Sequence, residues 1–178
     1  NFKIKNFPNN FSTKVLINSA GLYSHVLATK IKGFKKNLIP KINFIKGNYF
    51  KLLGQSPFKK LIYPLPSKDG LGIHSTINFD NETIFGPDTQ KIRKIDFSVS
   101  KNLKNKFVNS IFNYWPEIKK KNISIDYCGI RTSLDNKDFL IQGYEVHKMK
   151  NIINLFGIDS PGLTSSLAIG KYIYEKYF

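Results

Sequence analysis

The stretch NLFGIDSPGLTSSLAIGKYIYEKY, residues 154–177, decides the fold. It opens as an apolar, strand-like run, breaks at Ser160-Pro161-Gly162 and continues with helical spacing. Ser160 suits an N-cap, Pro161 suits the first helical position, and Leu163, Leu167, Tyr172 and Ile173 supply an apolar stripe, so a helix is expected from this break onward. Its first turns carry Gly162, Thr164, Ser165, Ser166 and Ala168. Little side chain stands over the N–H groups there, which favours a phosphate, a carboxylate or an electron-rich oxygen as neighbour. The same small residues would also let the helix lie close on a sheet, and periodicity alone does not choose between the two.

A second strand-turn-helix stands near the other end, TKVLINSAGLYSHVLATKI at 13–31. Lys14 to Asn18 reads as a buried strand, Ser19-Ala20-Gly21 as a tight small-residue turn, and the rest as a helix to about Ile31, which is half of a βαβ unit. From Pro40 to about Pro87 the pattern changes to short extended runs, KINFIKGNYFKLL, KKLIYPLP, LGIHSTINF and ETIFGPD, with turn signals at Gly47-Asn48, Ser67 to Gly70 and Asp80-Asn81. That is an antiparallel meander. Leu103, Phe107, Val108 and Ile111 then mark a helix that Pro116 should end. ISIDYCGIRTSL, FLIQGY and NIINLFGI give three more strands. The fold class is α/β plus antiparallel β, as if one domain interrupted another: α/β over 1–35, an antiparallel sheet with a helix over 36–120, and β and α again over 121–178.

The 178 residues are 41% hydrophobic and 14% aromatic, enough to bury a core. The one cysteine, Cys128, lies in an apolar strand and reads as a small buried hydrophobe, which excludes a disulfide framework and points to an intracellular, cytoplasmic compartment. Three scattered histidines offer no metal-ligand spacing, and no G-x-S-x-G elbow supports a hydrolase. Net charge is +16, yet only Arg93 and Arg131 among the 28 basic residues are arginine. Scattered lysines make a solvated surface. Nucleic-acid recognition leans on arginine forks and basic-aromatic motifs, so no nucleic-acid partner is expected. The lysine excess leaves peripheral contact with an anionic inner-membrane surface as a weaker option, and a non-catalytic basic binding module as the alternative to an enzyme.

Eight stretches, in order, resemble the D-amino-acid-oxidase-like superfamily of FAD-dependent oxidoreductases, above all its L-2-hydroxyglutarate dehydrogenase/oxidase branch. They are LINSAGLYS (16–24), GNYFKL (47–52), LIYPLP (61–66), LGIHSTINFD (71–80), FGPD (85–88), YWP (114–116), GIRTSL (129–134) and NLFGIDSPGLTSSLAIG (154–170). The resemblance covers only the C-terminal half of the family: no G-x-G-x-x-G follows a strand here, and the chain begins at Asn1 in NFKIKNF like the middle of something. A fragment is therefore expected, inactive when isolated. Two departures stand out, since the family commonly has an acidic residue where His25 stands and a proline where Thr132 follows Arg131.

The resemblance implies that 1–35 and 121–178 are parts of a Rossmann-like FAD-binding domain and 36–120 an inserted antiparallel-sheet substrate domain. It implies FAD as cofactor and hydride transfer from C2 of a 2-hydroxy acid, L-2-hydroxyglutarate first, to flavin N5, giving the 2-oxo acid, with oxygen or a quinone as electron acceptor; amine or amino-acid oxidation is the runner-up. It places Gly162, Leu163 and Thr164 against the flavin, and Ala20 and Gly21 at a close backbone approach to FAD. It also puts Arg131 on the substrate carboxylate. The residue chemistry supports that independently, because a planar fork takes a carboxylate bidentately; the alternative is a structural ion pair. His74 shares a strand face with Thr76 and is a candidate for substrate contact and catalysis, with Tyr63 a weaker substrate contact. His25 reads as a surface histidine, His147 as solvated in a polar loop, and Tyr114 and Trp115 as packing residues.

Overall fold

The computed structural model describes residues 2–4, 11–65, 72–136 and 138–178. The turn expected at Ser67 to Gly70, and the ends of two quoted stretches at Pro66 and Leu71, lie outside the described residues. In chain order the elements are β1 (Phe2–Ile4), β2 (Phe11–Thr13), β3 (Leu16–Asn18), α1 (Ser24–Lys30), β4 (Asn43–Leu52), β5 (His74–Ile77), β6 (Thr83–Gly86), β7 (Gln90–Ile92), α2 (Lys104–Phe112), β8 (Ile123–Ser133), β9 (Leu140–Gln142), α3 (Tyr144–His147), β10 (Ile152–Phe156) and α4 (Ser166–Tyr177). They form two compact units, one from residues 1–44 with 131–178 and one from 45–130.

The first unit is built on β3-β10-β9, with β3 parallel and β9 antiparallel to the central β10. All five β10 residues are buried. Successive strand side chains alternate faces, so burial on both faces demands a cover on each. Phe156 packs with Ala28 of α1 and with Phe34, while Ile153 and Leu155 pack with Ile169 and Ile173 of α4. A separate two-stranded sheet pairs β1 with β2.

The stripe on α4 differs from the one expected. Leu163 and Leu167 are 89% and 88% exposed, and the residues facing the sheet are Ile169, Ile173 and Tyr177. The helix also starts later. Ser160 does not cap it: residues 160–165 form consecutive turns, in which Ser165 N–H donates to the Pro161 carbonyl, and α4 begins at Ser166. The apolar period that counts belongs to the last three turns.

The second unit carries the order β5-β6-β4-β7, with β8 also on β4. β5 and β6 form the hairpin expected around Asp80-Asn81. Gly47-Asn48 makes no turn, because β4 runs straight through it. A Cβ on Gly47 would lie 2.6 Å from Pro87 Cβ, so this glycine serves close packing. Asn48 uses that proximity: its backbone N–H and its Nδ2 both donate to Oδ1 of buried Asp88, at 2.9 and 2.8 Å. Lys106 of α2 donates to Asp88 Oδ2 at 2.8 Å, so one carboxylate ties β4, the segment after β6 and α2 together. LIYPLP contributes only an isolated bridge, Ile62 to Ser75, instead of a strand.

α2 buries Phe107 and Ile111 as its spacing predicts, with Phe107 against Phe50 at 4.5 Å between ring centres. It ends at Phe112, and Pro116 instead opens a 3₁₀ turn over Pro116–Lys120. Trp115 packs edge-on to Phe58 at 5.1 Å, and Tyr114 joins the same core. Cys128 is only half-buried and donates its S–H to the Phe97 carbonyl at 3.1 Å, so it is no core hydrophobe. Among the described residues no helix is long and apolar enough to cross a membrane.

Gly47→Ala should lower stability by about 1–3 kcal/mol, because proline cannot yield to the added methyl. Thermal or denaturant unfolding checks this, and an unchanged midpoint would mean that the β4–Pro87 approach is loose.

Candidate functional site

The first unit brings together the two small-residue turns singled out in the sequence. β3 and β10 are parallel neighbours, Leu16 to Asn18 beside Ile152 to Asn154, so the turns that follow them leave the same end of the sheet. Ligands of open α/β sheets bind outside the carboxyl ends of the strands. A shallow pocket lined by Val15, Lys150, Ile152 and Phe178 lies at the opposite, amino end of these strands and holds none of the candidate residues.

At the first turn Ala20 and Gly21 are exposed, and Gly21 has φ +53° with no heavy atom within 4 Å of where a Cβ would stand. The turn is open outward and held from within. Fully buried Asn18 accepts from the Ala20 N–H at 3.3 Å and donates through Nδ2 to the Ser24 carbonyl and to Asn154 Oδ1, both at 2.8 Å.

At the second turn the candidates divide. Gly162 is buried, its N–H donates to the Asp159 carbonyl at 2.6 Å, and a Cβ there would meet that carbonyl oxygen and Ile158 Cγ2 at 2.6 Å. Its bareness is explained by the turn's own packing. Leu163 and Thr164 are exposed, and among the described residues their N–H groups donate to nothing. These two amides, beside exposed Leu163 and just before a twelve-residue helix whose first turn exposes Leu167, suit a planar ring with an electron-rich edge. The residues present therefore fit a flavin.

Arg131, near the end of β8, places its Nε 3.6 Å from Asp159 Oδ1, and its side chain is 41% exposed. The ion pair weighed as the alternative is present. The contact is made at Nε, on one edge of a guanidinium that also carries two terminal nitrogens.

In the second unit His74 is 8% exposed and stacks on half-exposed Tyr63, with ring centres 4.2 Å apart and planes 16° apart. Its Nδ1 lies 3.1 Å from the Gly72 carbonyl, which can only accept. Nδ1 therefore carries the proton in the neutral ring, and Nε2 the lone pair. Burial lowers its pKa from the ordinary histidine value, against a smaller upward pull from the Gly72 hydrogen bond.

Two other histidines depart from expectation. His147 is not solvated: it is 5% exposed, ends α3 and packs its ring 5.2 Å from Phe34, and burial lowers its pKa. His25 is half-buried against Phe44 at 5.9 Å, and burial lowers its pKa too. Sequence reasoning missed Asn18 and Asn154, two fully buried amides at the end of β3 and the middle of β10. The available signal was an asparagine interrupting each apolar run. Among the described residues no cluster of His, Cys, Asp or Glu could hold a metal ion.

The fold is that of an α/β protein with an open sheet, and its turns leave room for a flavin. The chain belongs to the FAD dependent oxidoreductase family, which matches residues 5–176. It is 38% identical over 180 residues to the mitochondrial L-2-hydroxyglutarate dehydrogenase of Arabidopsis thaliana, a match covering 92% of this chain and 37% of that protein. It is 30% identical over 176 residues to the glycerol 3-phosphate oxidase of Mycoplasma genitalium, covering 93% of this chain and 43% of that one. Among solved structures, FAD-bound, dithionite-reduced L-alpha-glycerophosphate oxidase from Mycoplasma pneumoniae superposes with a TM-score of 0.72 at 22% identity, over 91% of this chain and 42% of its own. The chain spans 34% to 51% of the length of the four curated relatives. FAD is the cofactor of this family.

Leu163→Ser should leave the stability of the flavin-free protein within about 0.5 kcal/mol, since an exposed leucine contributes little to folding. The holoenzyme should nevertheless release FAD more readily. Equal FAD dissociation constants for variant and parent in a fluorescence titration would remove Leu163 from the cofactor site.

Proposed function

We propose that the protein takes part in FAD-dependent oxidation of a 2-hydroxy acid, L-2-hydroxyglutarate in the first instance, to the 2-oxo acid. The observation that carries this reading is the pair of turns at the carboxyl ends of β3 and β10, together with 38% identity to an L-2-hydroxyglutarate dehydrogenase. FAD, when bound, supplies the hydride acceptor. The amides of Leu163 and Thr164 hold the electron-rich edge of the ring, and Ala20 and Gly21 let backbone approach the cofactor. Arg131 takes a substrate carboxylate on its terminal nitrogens. His74 accepts the substrate hydroxyl proton at Nε2 as hydride leaves C2, and Tyr63 stacks over the imidazole and borders the substrate. Oxygen or a quinone would reoxidise the flavin, and lysine-rich charge would allow peripheral contact with an anionic membrane.

Glycerol 3-phosphate is the second reading, supported by 30% identity to a glycerol 3-phosphate oxidase. Both substrates are oxidised at a CH–OH carbon and carry an anionic group that an arginine can hold. Anaerobic mixing of the holoenzyme with each, and with glycine to represent amine substrates, separates the readings. Bleaching of the flavin by L-2-hydroxyglutarate is expected. Bleaching by glycerol 3-phosphate or glycine alone would overturn the assignment.

Charge-assisted hydrogen bonds contribute roughly 1.5–3 kcal/mol. Arg131→Met should therefore lower kcat/KM by about ten- to a hundredfold, with Arg131→Lys in between and FAD content normal. If both variants lose FAD or fold while the surviving molecules turn over normally, the arginine serves only its pair with Asp159.

The pH profile tests His74. A general base works deprotonated, and burial lowers this group's pKa below that of an ordinary histidine. The acid limb of kcat/KM should therefore fall below pH ~6.5 and vanish in His74→Gln along with most of the rate. An unchanged acid limb in that variant would assign the proton transfer elsewhere.

A further inference from the structure

Asn18 and Asn154 stand side by side in the register of β3 and β10, both with no exposed surface, 136 positions apart in the chain. Each amide is committed in a different direction. Asn18 spends its oxygen on the Ala20 N–H and its Nδ2 on Ser24 O and Asn154 Oδ1. Asn154 spends its oxygen on Asn18, while its own Nδ2 has no partner, although Gln142, opposite it on β9, has a buried oxygen equally unpaired. The atom of Asn154 that meets Asn18 is its oxygen, an acceptor, and that choice sets the orientation of the Asn18 amide.

The acceptor from Asn154 fixes which way the Asn18 amide faces. With Nδ2 drawn toward β10, Oδ1 is left to take the Ala20 N–H. Flipping the amide would aim a donor at that N–H and lose three hydrogen bonds together. The backbone at Ala20-Gly21 has an open outer face and no side chain to hold it from outside. It is held from within by this amide and by the Tyr23 N–H, which donates to the Ala20 carbonyl at 3.0 Å.

We infer that Asn154 is a positioning residue for the Ala20-Gly21 turn, acting through Asn18 to hold the turn's backbone where FAD meets it. This rests on the reading of that turn as a cofactor contact. Because Asn154 also lies on the strand that leads into the Leu163-Thr164 turn, the amide pair holds in register the two strands from which both cofactor turns depart.

Amide hydrogen exchange and FAD binding test this in the holoenzyme and in its flavin-stripped form. Asn154→Ala should speed exchange of the Ala20 N–H about tenfold in the flavin-free protein, while the β10 amides of Ile153 and Leu155 keep their protection. It should weaken FAD about three- to tenfold, and adding Asn18→Ala should change little further, because both act through one contact. Asn154→Ser, a smaller change with a hydroxyl acceptor, should fall between and serves if the alanine variant does not fold. A rise in exchange across the whole strand with FAD affinity unchanged would make the pair structural only and overturn the inference. Ala20→Phe, on the turn's open face, tests the underlying reading separately. If it leaves FAD affinity intact, the turn is no cofactor contact and the inference falls with that reading; if it weakens FAD while Asn154→Ala moves neither readout, the positioning role alone is wrong.

Discussion

Parallel pairing of β3 with β10 is the constraint on which the first unit depends. It joins segments 136 positions apart, and a parallel pair cannot be closed by a hairpin. Loop-closure entropy grows only logarithmically, by about 0.6 kcal/mol per doubling of length, so the intervening chain can itself fold as a unit without making the junction prohibitive. What must be specified is register. Apolar residues alone would tolerate a two-residue slip of β10, because Ile152, Asn154 and Phe156 share a face and Ile153 and Leu155 the other. A slip by two would set Asn18 against an isoleucine or a phenylalanine and bury an unsatisfied amide at a cost of about 1–3 kcal/mol. The asparagine pair therefore acts as a register key.

The second unit solves a similar problem with a charge. Asp88 is 5% exposed and accepts from Asn48 twice and from Lys106 once. A buried carboxylate is tolerable only when its lone pairs are filled, and here the fillers come from a strand and a helix of different sequence neighbourhoods. The half-exposed lysine supplies charge while keeping part of its own hydration. Both units thus use one polar centre to align elements that the surrounding hydrophobic contacts would hold more loosely.

Much of this was legible in the sequence because periodicity and turn chemistry are local. β8, β9, β10, α1 and α2 fall where alternation and helical spacing put them, and the hairpin at Asp80-Asn81 follows from its turn residues. The failures share a cause. Gly47-Asn48 has turn chemistry, but the glycine answers to Pro87, forty positions on; Leu163 and Leu167 have helical spacing, but the sheet meets the next turns of the helix instead. His147 looks solvated among lysines, yet Phe34 covers it. In each case a distant partner overrides a local signal, and no local pattern carries that partner's address. At the candidate site the residue types were legible, whereas the network behind them was not, since Asn18 matters only through Asn154.

The turn after β10 shows how one signal can carry two meanings. Small residues between Ser160 and Ala168 left open whether the chain was making room for a ligand or for itself. Gly162 makes room for itself, with its N–H spent on Asp159 and its missing side chain matched to Ile158. Leu163 and Thr164 do not: among the described residues their amides have no partner, and the leucine stands almost wholly in solvent. The two uses are coupled. A tight turn consumes the Gly162 amide and tucks that residue inward, while the next two residues stay exposed ahead of a helix that begins at Ser166. Asp159, whose carbonyl closes this turn, also offers its carboxylate to Arg131. The backbone contact that shapes the turn before α4 and the charge that meets the arginine thus belong to one residue, and altering its backbone geometry would disturb both.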